Sequence, residues 1–442
     1  MSNNDEMNVV QSDSMVDALL QVSKLQYRMP PALGIVSRRN YREDYFQRSQ
    51  YTAGSTMILD CQTGSDFVDS TNSYLVFNLA TIGAPASLAS GSSFNIANRV
   101  LIKTRTGREW SRVEQSNLIS KYLQLYTCNE DWLKTMGQSQ GYADNNAGKT
   151  VPTTGAVFVV PLWCLAPCFN RKELCPSQVM EGLRIEIYLE STPNVFRVPT
   201  GDPSPASYVV NNPRIVWDCF DLGDAYKRKI AEMASRQGLN LLHKELFHTI
   251  VAAGSPSQTS FNFDVKKAAS KALKCHIITR AQQQIDTTEY DSVGSLAYDY
   301  SRIQAHIGAD YFPQFPLECN VQTGSNLDNL NEVYYETMFS HGKTNQCHNP
   351  PSVTPGQYDS QNGNSPAHRE NAMLSINLNK SNVSDLQGYV VNTSRALIVD
   401  LQSSLRTGNF PTGNFDVTRR LDVYLEHLRV LKQYVSNAEI RD

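Results

Sequence analysis

The sequence has no apolar run approaching the ~20 residues that a membrane-spanning helix needs, and a soluble chain is expected. It also lacks an excess of positive charge: 40 lysines and arginines stand against 43 aspartates and glutamates, for a net charge of −3. Wrapping a nucleic acid takes clustered Lys and Arg that displace counterions from phosphates. Direct, sequence-specific nucleic-acid binding is therefore not expected. The start, MSNNDEMNVVQSDSM, has neither the basic opening nor the apolar centre of a secretory signal, so synthesis and folding in a reducing compartment is the expectation. The nine cysteines agree, being odd in number and spread from Cys61 to Cys347 rather than gathered as an even set in a short chain. Three glycosylation sequons, at Asn379, Asn382 and Asn392, carry little weight in a chain this rich in Asn and Ser.

Catalytic constellations are missing as well. A phosphate-loop pattern with Ala in first place, ADNNAGKT, spans Ala143 to Thr150. Such a loop must follow a buried strand and open a helix, whereas here GQSQGY precedes it and Val151-Pro152 follows, which does not start a helix. A surface loop is the expectation. Cys164, Cys168 and Cys175 lie close together, but a zinc site calls for a C-x2-C pair or a nearby His pair, and these cysteines are expected to fill core and loop. His243 and His248 in HKELFH match the H-E-x-x-H of zinc proteases only loosely, because the spacing is one residue too long and the stretch reads as a strand. No G-x-S-x-G elbow occurs, and no pair of acids stands apart from the ordinary carboxylates. The 21 tyrosines do not interleave with basic clusters as a nucleic-acid groove requires, so packing is their simpler use. No catalytic, cofactor-binding or metal-ligating residue is expected, and no cofactor.

What is present is a globular composition, 40% apolar and 19% charged, in 442 residues. That length exceeds one ordinary core and suggests two domains of roughly 150 to 200 residues each. Residues 13–27, DSMVDALLQVSKLQY, place Met15, Val16, Leu19, Leu20, Val22 and Leu25 at helical spacing, with Ser14 as N-cap and Pro30-Pro31 as a stop. This short amphipathic helix either packs on its own domain or reaches a neighbouring subunit or a membrane face.

From about residue 55 the texture changes to short β-branched and aromatic runs separated by Gly, Asn, Ser and Pro, the pattern of a sandwich or barrel. Strands are expected at 56–61, 73–80, 96–104, 157–162, 183–190 and 214–222, with one or two helices inserted over 112–136. A helix over 224–237 (DAYKRKIAEMASRQ), closed by Gly238, reads as the connector. Strands then return at 246–252, 259–265, 276–281, 296–306, 371–378, 396–402 and 421–435, interrupted by a helix over 327–339. The stretch 341–368 is rich in Asn, Gly, Pro, Ser and Gln and is expected to be a long exposed loop.

Both halves follow one plan: several strands, a helical insertion after an Arg-containing strand, a polar stretch, then paired closing strands. The expected architecture is all-β, two tandem eight-stranded jelly-roll β-sandwiches with short helical insertions. Its divisions are an N-terminal arm over 1–50, a first roll over 51–222, a connector helix over 223–240 and a second roll over 241–442.

Several segments together carry a family resemblance. They are GSDFVDSTNSYLVFNL (64–79), NIANRVLIKTRTGREWSRVE (95–114), FVVPLWCL (158–165) and LCPSQVMEGLRIEIYLES (174–191) in the first half. In the second they are ALKCHIITR (272–280), RIQAHIGADYFPQFPL (302–317), NEVYYETMF (331–339), SRALIVDL (394–401) and LDVYLEHLRVLKQYVSN (421–437). In this order and spacing, covering nearly all of the chain after residue 50, the sequence resembles the double jelly-roll major capsid proteins of tailless icosahedral DNA viruses. The likeness is greatest to the Polinton-like virus, adintovirus and virophage type, with the adenovirus hexon a distant relative.

The resemblance implies a structural protein rather than an enzyme. Two rolls would stand side by side normal to a shell, and three chains would form a homotrimeric, pseudo-hexameric capsomer. Its partners would be neighbouring capsomers, penton proteins at the fivefold vertices and minor capsid proteins. The arm would reach an inner membrane or a cement protein, and the loop 341–368 would form part of an outer tower. The location would be the virion, after synthesis in the host cytoplasm. Tandem sandwiches also suit a jelly-roll vertex or spike protein for host attachment or glycan binding, which is the alternative reading.

Overall fold

Strands from the two halves of the chain build two sandwiches of one plan. The computed structural model describes residues 36–89, 91–142, 148–171, 173–198, 201–252, 258, 260–281, 291–295, 300–318, 331–344, 349–358, 371–380, 388–403, 419–433 and 438–441. The arm helix expected over 13–27 lies outside the described residues.

The first half contributes β1 (Val36–Tyr45), β2 (Gln50–Thr52), β3 (Thr56–Asp60), β4 (Phe67–Ile82), β5 (Ala86–Leu88) and β6 (Ala97–Lys103). It continues with β7 (Glu109–Val113), β8 (Thr150–Val151), β9 (Ala156–Pro161), β10 (Arg184–Leu189), β11 (Phe196–Arg197) and β12 (Ser207–Leu222). One sheet runs β1-β12-β4-β9 and the facing sheet β3-β10-β6-β7; β2 joins β12, and β11-β5-β8 form a small third sheet. All pairings are antiparallel.

The second half contributes β13 (Leu239–Ala252), β14 (Ser260–Val265), β15 (Ala269–Ala281), β16 (Tyr300–Ile307) and β17 (Asp310–Glu318). After these come β18 (Leu374–Asn377), β19 (Tyr389–Val391), β20 (Leu397–Ser403), β21 (Arg419–Gln433) and β22 (Ala438–Arg441). Its sheets run β13-β21-β15-β18 and β14-β20-β16-β17. Matched strand by strand, the two halves have the same order. In each, the first and last principal strands lie side by side, β1 on β12 and β13 on β21, and the chain wraps between two four-stranded sheets. That is an eight-stranded jelly roll, formed twice.

Side-chain alternation explains the strands. In β14, Phe261, Phe263 and Val265 turn inward while Ser260, Asn262 and Asp264 face water. β3 buries Met57 and Leu59 in the same way. Each such side chain contributes about 1.5–3 kcal/mol when fully buried. The first core includes a run of aromatic contacts in which Phe169 lies edge-on between Trp217 and Trp110, with ring centroids 6.4 and 6.3 Å away. Both insertions occur at the equivalent point. Ser116–Thr127, Glu130–Lys134 and Met136–Gln140 follow β7, and Asn331–Ser340 follows β17.

Several expectations need correction: β7 and β17 fall outside every expected strand, and β13 begins at Leu239, inside the expected connector. Residues 36–45, assigned to the arm, form β1 and pair along β12; VSRRNYREDY is a charged edge without the apolar run that announces a strand. Strands β4 and β12 are longer than the expected 73–80 and 214–222, since both continue through polar residues such as Asp69 and Asn211 that pair within the sheet. The closing strands of each half do not pair with each other: β10 and β12 lie in opposite sheets, as do β20 and β21, which is what the roll's wrap demands. Finally, 341–368 is not wholly an exposed loop. Ser352, Val353 and Tyr358 are buried, Ser352 N–H donates to Leu125 O at 3.1 Å, and Tyr334 OH donates to Val353 O at 2.8 Å. Residues 359–370 lie outside the described residues.

Candidate functional site: the seam between the sandwiches

The two rolls meet along an edge of each. Strand β7 is an edge of the first roll and β13 an edge of the second, and each leaves a row of backbone groups without strand partners. Side chains from across the seam close those rows. Glu245 accepts the Arg112 N–H at 2.8 Å, Arg429 donates to Trp110 O at 3.4 Å, and Arg171 donates to Leu242 O at 3.0 Å. The indole N–H of Trp110 points at His243 Nδ1, 3.4 Å away, with the rings edge-on.

Next to these edges lies the helix Ser116–Thr127. Its apolar face enters the core, while its polar groups reach the second roll. Lys121, 2% exposed at its side chain, donates to Val293 O at 2.9 Å, and Tyr122 OH donates to the same carbonyl at 3.2 Å. Tyr126 OH donates to Asn371 O at 2.9 Å and accepts from Met373 N–H at 3.1 Å. Gln115, which precedes the helix, holds the left-handed conformation (φ 46°) that non-glycine residues adopt only at a cost. Tyr424 OH donates to its carbonyl at 3.1 Å, so the second roll grips the strained turn.

Period-two alternation puts a polar stripe on the face of the β13-β21-β15-β18 sheet that meets this helix. In β21, Asp422, Tyr424 and Glu426 point one way while Val423 and Leu425 enter the core; in β15, Lys274, His276 and Arg280 alternate with Cys275 and Ile277. Asp422 is fully buried. Arg280 donates to it from Nε at 2.8 Å, His248 Nε2 lies 2.9 Å away and Arg420 3.1 Å away. Burial opposes the carboxylate charge, but Arg280, the His248 hydrogen bond and Arg420 overcome it and hold the Asp422 pKa down at about 2. Glu426 is similar: burial works against ionisation, and Lys274, Lys244 and His276 together pull it well below the usual carboxylate range. His276 and His341 stack with centroids 5.4 Å apart, sharing the Ser375 hydroxyl at 2.8 and 3.2 Å. Burial depresses both imidazoles; for His341, Lys274 and His276 add to the effect.

These charged groups all belong to the second roll and neutralise one another there, while the bonds of Glu245, Arg429, Lys121, Tyr126 and Tyr424 cross to the other roll. Among the described residues no group of three or more His, Cys, Asp or Glu is arranged to hold a metal.

The motifs singled out in the sequence fall in ordinary packing. Cys164, Cys168 and Cys175 are buried thiols whose pKa values burial raises. His243 and His248 sit on β13 at positions of opposite parity, and their partners, Trp110 and Asp422, lie on opposite faces. Of the phosphate-loop pattern, 143–147 lie outside the described residues. Its end pairs as strand, with Lys149 N–H on Gly141 O at 2.8 Å and Thr150 beside Ser87. Gly148 is needed for close approach, since a Cβ there would stand 2.0 Å from Leu88 O. No part of the seam was foreseen. Its signal was the alternation of charged and apolar residues in KALKCHIITR and LDVYLEHL, which reads equally well as a strand with one wet face.

No family model matches the sequence, and no curated protein is similar to it in sequence. Solved structures do match. Against the PBCV-1 virus capsid the TM-score is 0.60 at 12% identity, over 94% of this chain and 98% of that one. Against the Faustovirus major capsid protein it is 0.57 at 10%, over 98% of both. Against the mavirus major capsid protein it is 0.54 at 8%, over 95% and 93%. At such identities what is shared is the fold, a double jelly roll running through nearly the whole chain.

Proposed function

We propose that this chain is the major capsid protein of an icosahedral virus, with no catalytic role and no cofactor. The observation that carries this reading is the seam. Two domains within one chain ordinarily shift against each other unless their interface is large and well bonded. Here two rolls of identical strand order are joined by side chains bonded onto their facing edge strands, by the Lys121–Asp291 ion pair at 3.7 Å, and by a helix of the first roll whose side chains bond into the second, which makes one block of two like halves. Such a block suits tiling.

Three chains would supply six rolls and a hexagonal outline, each subunit meeting the next through a heterologous contact that closes into a ring. Exposed aromatic side chains on sheet edges support such contacts. Tyr41 (63% exposed) and Tyr45 lie on β1, and Tyr311 and Phe315 (78% exposed) on β17. Each subunit interface is expected to bury more than about 1,000 Å². The capsomer would then meet neighbouring capsomers, penton proteins at the vertices and minor capsid proteins, in a virion assembled after synthesis in the host cytoplasm. The polar arm before β1 would serve shell cohesion or apposition to an inner membrane. The helix Asp224–Arg236, lying between the last strand of one roll and the first of the next, would mark the division between domains.

Light scattering on purified protein tests the reading. A mass near three times 49.4 kDa, followed by hexagonal arrays under electron microscopy, is the expected result. A monomer that binds a glycan saturably would replace the shell role with attachment.

A further inference from the structure

The helix Asp224–Arg236 turns an apolar stripe outward. Ala234 is its buried residue, whereas Tyr226 (41% exposed), Met233 (44% exposed) and the half-buried Ile230 lie along one side at spacings of four and three residues. Tyr226 meets the Phe67 ring at a centroid distance of 6.2 Å, and the rest of the stripe faces away from the roll. Such a stripe ordinarily packs on another element. Beside it the helix is basic. Lys227 pairs with Asp221 and Arg236 with Glu232, while the exposed Arg228 and Lys229 form no ion pair among the described residues.

The course of the chain supplies a partner. Val36, the first residue of β1, lies opposite Leu222, the last of β12, and the helix begins two residues later. Residues 1–35 therefore join the fold at the end of the sheet from which this helix departs. Eight residues, 28–35, reach about 26 Å when extended, more than the ~20 Å length of a 13-residue helix. Before them, residues 13–27 repeat apolar side chains at helical spacing, Met15, Leu19 and Val22 among them. The charges there are opposite to those of the helix: Asp5, Glu6, Asp13 and Asp17 all precede Lys24, the first basic residue of the chain.

We infer that residues 13–27 dock along the helix Asp224–Arg236 of their own chain. Met15, Leu19 and Val22 cover Tyr226, Ile230 and Met233, and the acids of the arm face Arg228 and Lys229. The arm would have to leave this seat to reach a neighbouring subunit. The docking does not depend on the capsid reading, and it is read on the purified full chain.

Oxidative cross-linking with diamide tests it. A chain carrying Leu19→Cys and Met233→Cys should form an internal disulfide that joins the tryptic peptides 1–24 and 230–236, neither of which holds a native cysteine. Met233→Asp, and separately Arg228→Glu with Lys229→Glu, all at exposed positions, should keep the fold by circular dichroism. Each should speed tryptic cleavage after Lys24 at least about tenfold, since cleavage follows the undocked fraction. No internal link in the first variant, or an unaltered cleavage rate in the others, would overturn the docking. A link formed equally well between chains in a mixture of the two single-cysteine variants would assign the seat to a neighbour's arm instead. Flotation with vesicles of anionic phospholipid that Met233→Asp abolishes would give the stripe to a membrane.

Discussion

The Glu245 carboxylate, from the second jelly roll, accepts the backbone N–H of Arg112, from the first, at 2.8 Å. A sheet edge normally offers such groups to any strand that approaches. Here the edge is closed by a side chain of the same molecule, so the two rolls cannot part without exposing both a strand edge and a buried carboxylate.

Glu245→Ala should therefore destabilise the chain by about 1–3 kcal/mol, the cost of leaving a buried donor without its acceptor. Glu245→Gln keeps an acceptor oxygen and should recover most of the loss. Urea unfolding of the three proteins measures this, and an alanine variant as stable as the parent would contradict it.

Arg280 and Asp422 form the most deeply buried ion pair at the seam, with side chains 4% and 0% exposed. Arg280→Met leaves Asp422 with Arg420 at 3.1 Å and His248 at 2.9 Å, and should cost less than the about 3–5 kcal/mol of a buried charge left with no partner. Adding Asp422→Leu removes the buried carboxylate, and the double variant reads how much of the loss came from its lost partner. A double-mutant cycle by chemical denaturation reads the coupling; strictly additive effects would show that the pair does not act as one.

Tyr126→Phe removes a hydroxyl that both donates to Asn371 O and accepts from Met373 N–H. The expected loss is again about 1–3 kcal/mol, localised at the seam. Hydrogen exchange at the Met373 amide should accelerate more than at amides of β14, on the far sheet of the same roll. Uniform acceleration would argue against a local role.

Acidification should loosen the seam. His276 and His341 are held below the ordinary imidazole pKa of ~6.5, so as pH falls through that value the unfolded chain takes up protons that the native chain does not. Stability is full above about 6.5 and declines below it, by up to about 1.4 kcal/mol per pH unit for each histidine. Asp422 acts at lower pH. Its contribution is present above the ordinary carboxylate value of ~3.9 and is lost as pH falls toward about 2. Thermal melts from pH 7.5 to 5 should show the first decline, and His276→Gln with His341→Gln should flatten it; an unchanged slope in that variant would locate the sensitivity elsewhere.

Removing residues 1–30 should leave trimers intact and prevent their assembly into shells. Assembly of normal shells by the shortened chain would assign the arm no part in cohesion.

Much of the fold was legible in the sequence. The alternation in SFNFDV and the β-branched run of ALIVDL marked strands that appear where expected, β14 and β20. The helix over DAYKRKIAEMASR was equally clear, because Asp224 opens it and Gly238 follows it. Strand β1 was hidden because VSRRNYREDY carries charges on both faces of a half-exposed edge and has no apolar period to read. The burial of Val353 and Tyr358 was hidden for a related reason: local composition reports turn chemistry, not which loop folds back onto a distant helix.

The sequence by itself determined that two β-sandwiches follow one another, since period-two patterning and turn residues are local properties written along the chain. It also determined the absence of familiar catalytic motifs. Only the tertiary structure decided that the charged residues of β15 and β21 face another roll instead of water. A strand's outer face looks the same in sequence whether solvent or a second domain covers it. What differs is the dielectric around Asp422 and Glu426, and that is set by contacts between residues hundreds of positions apart.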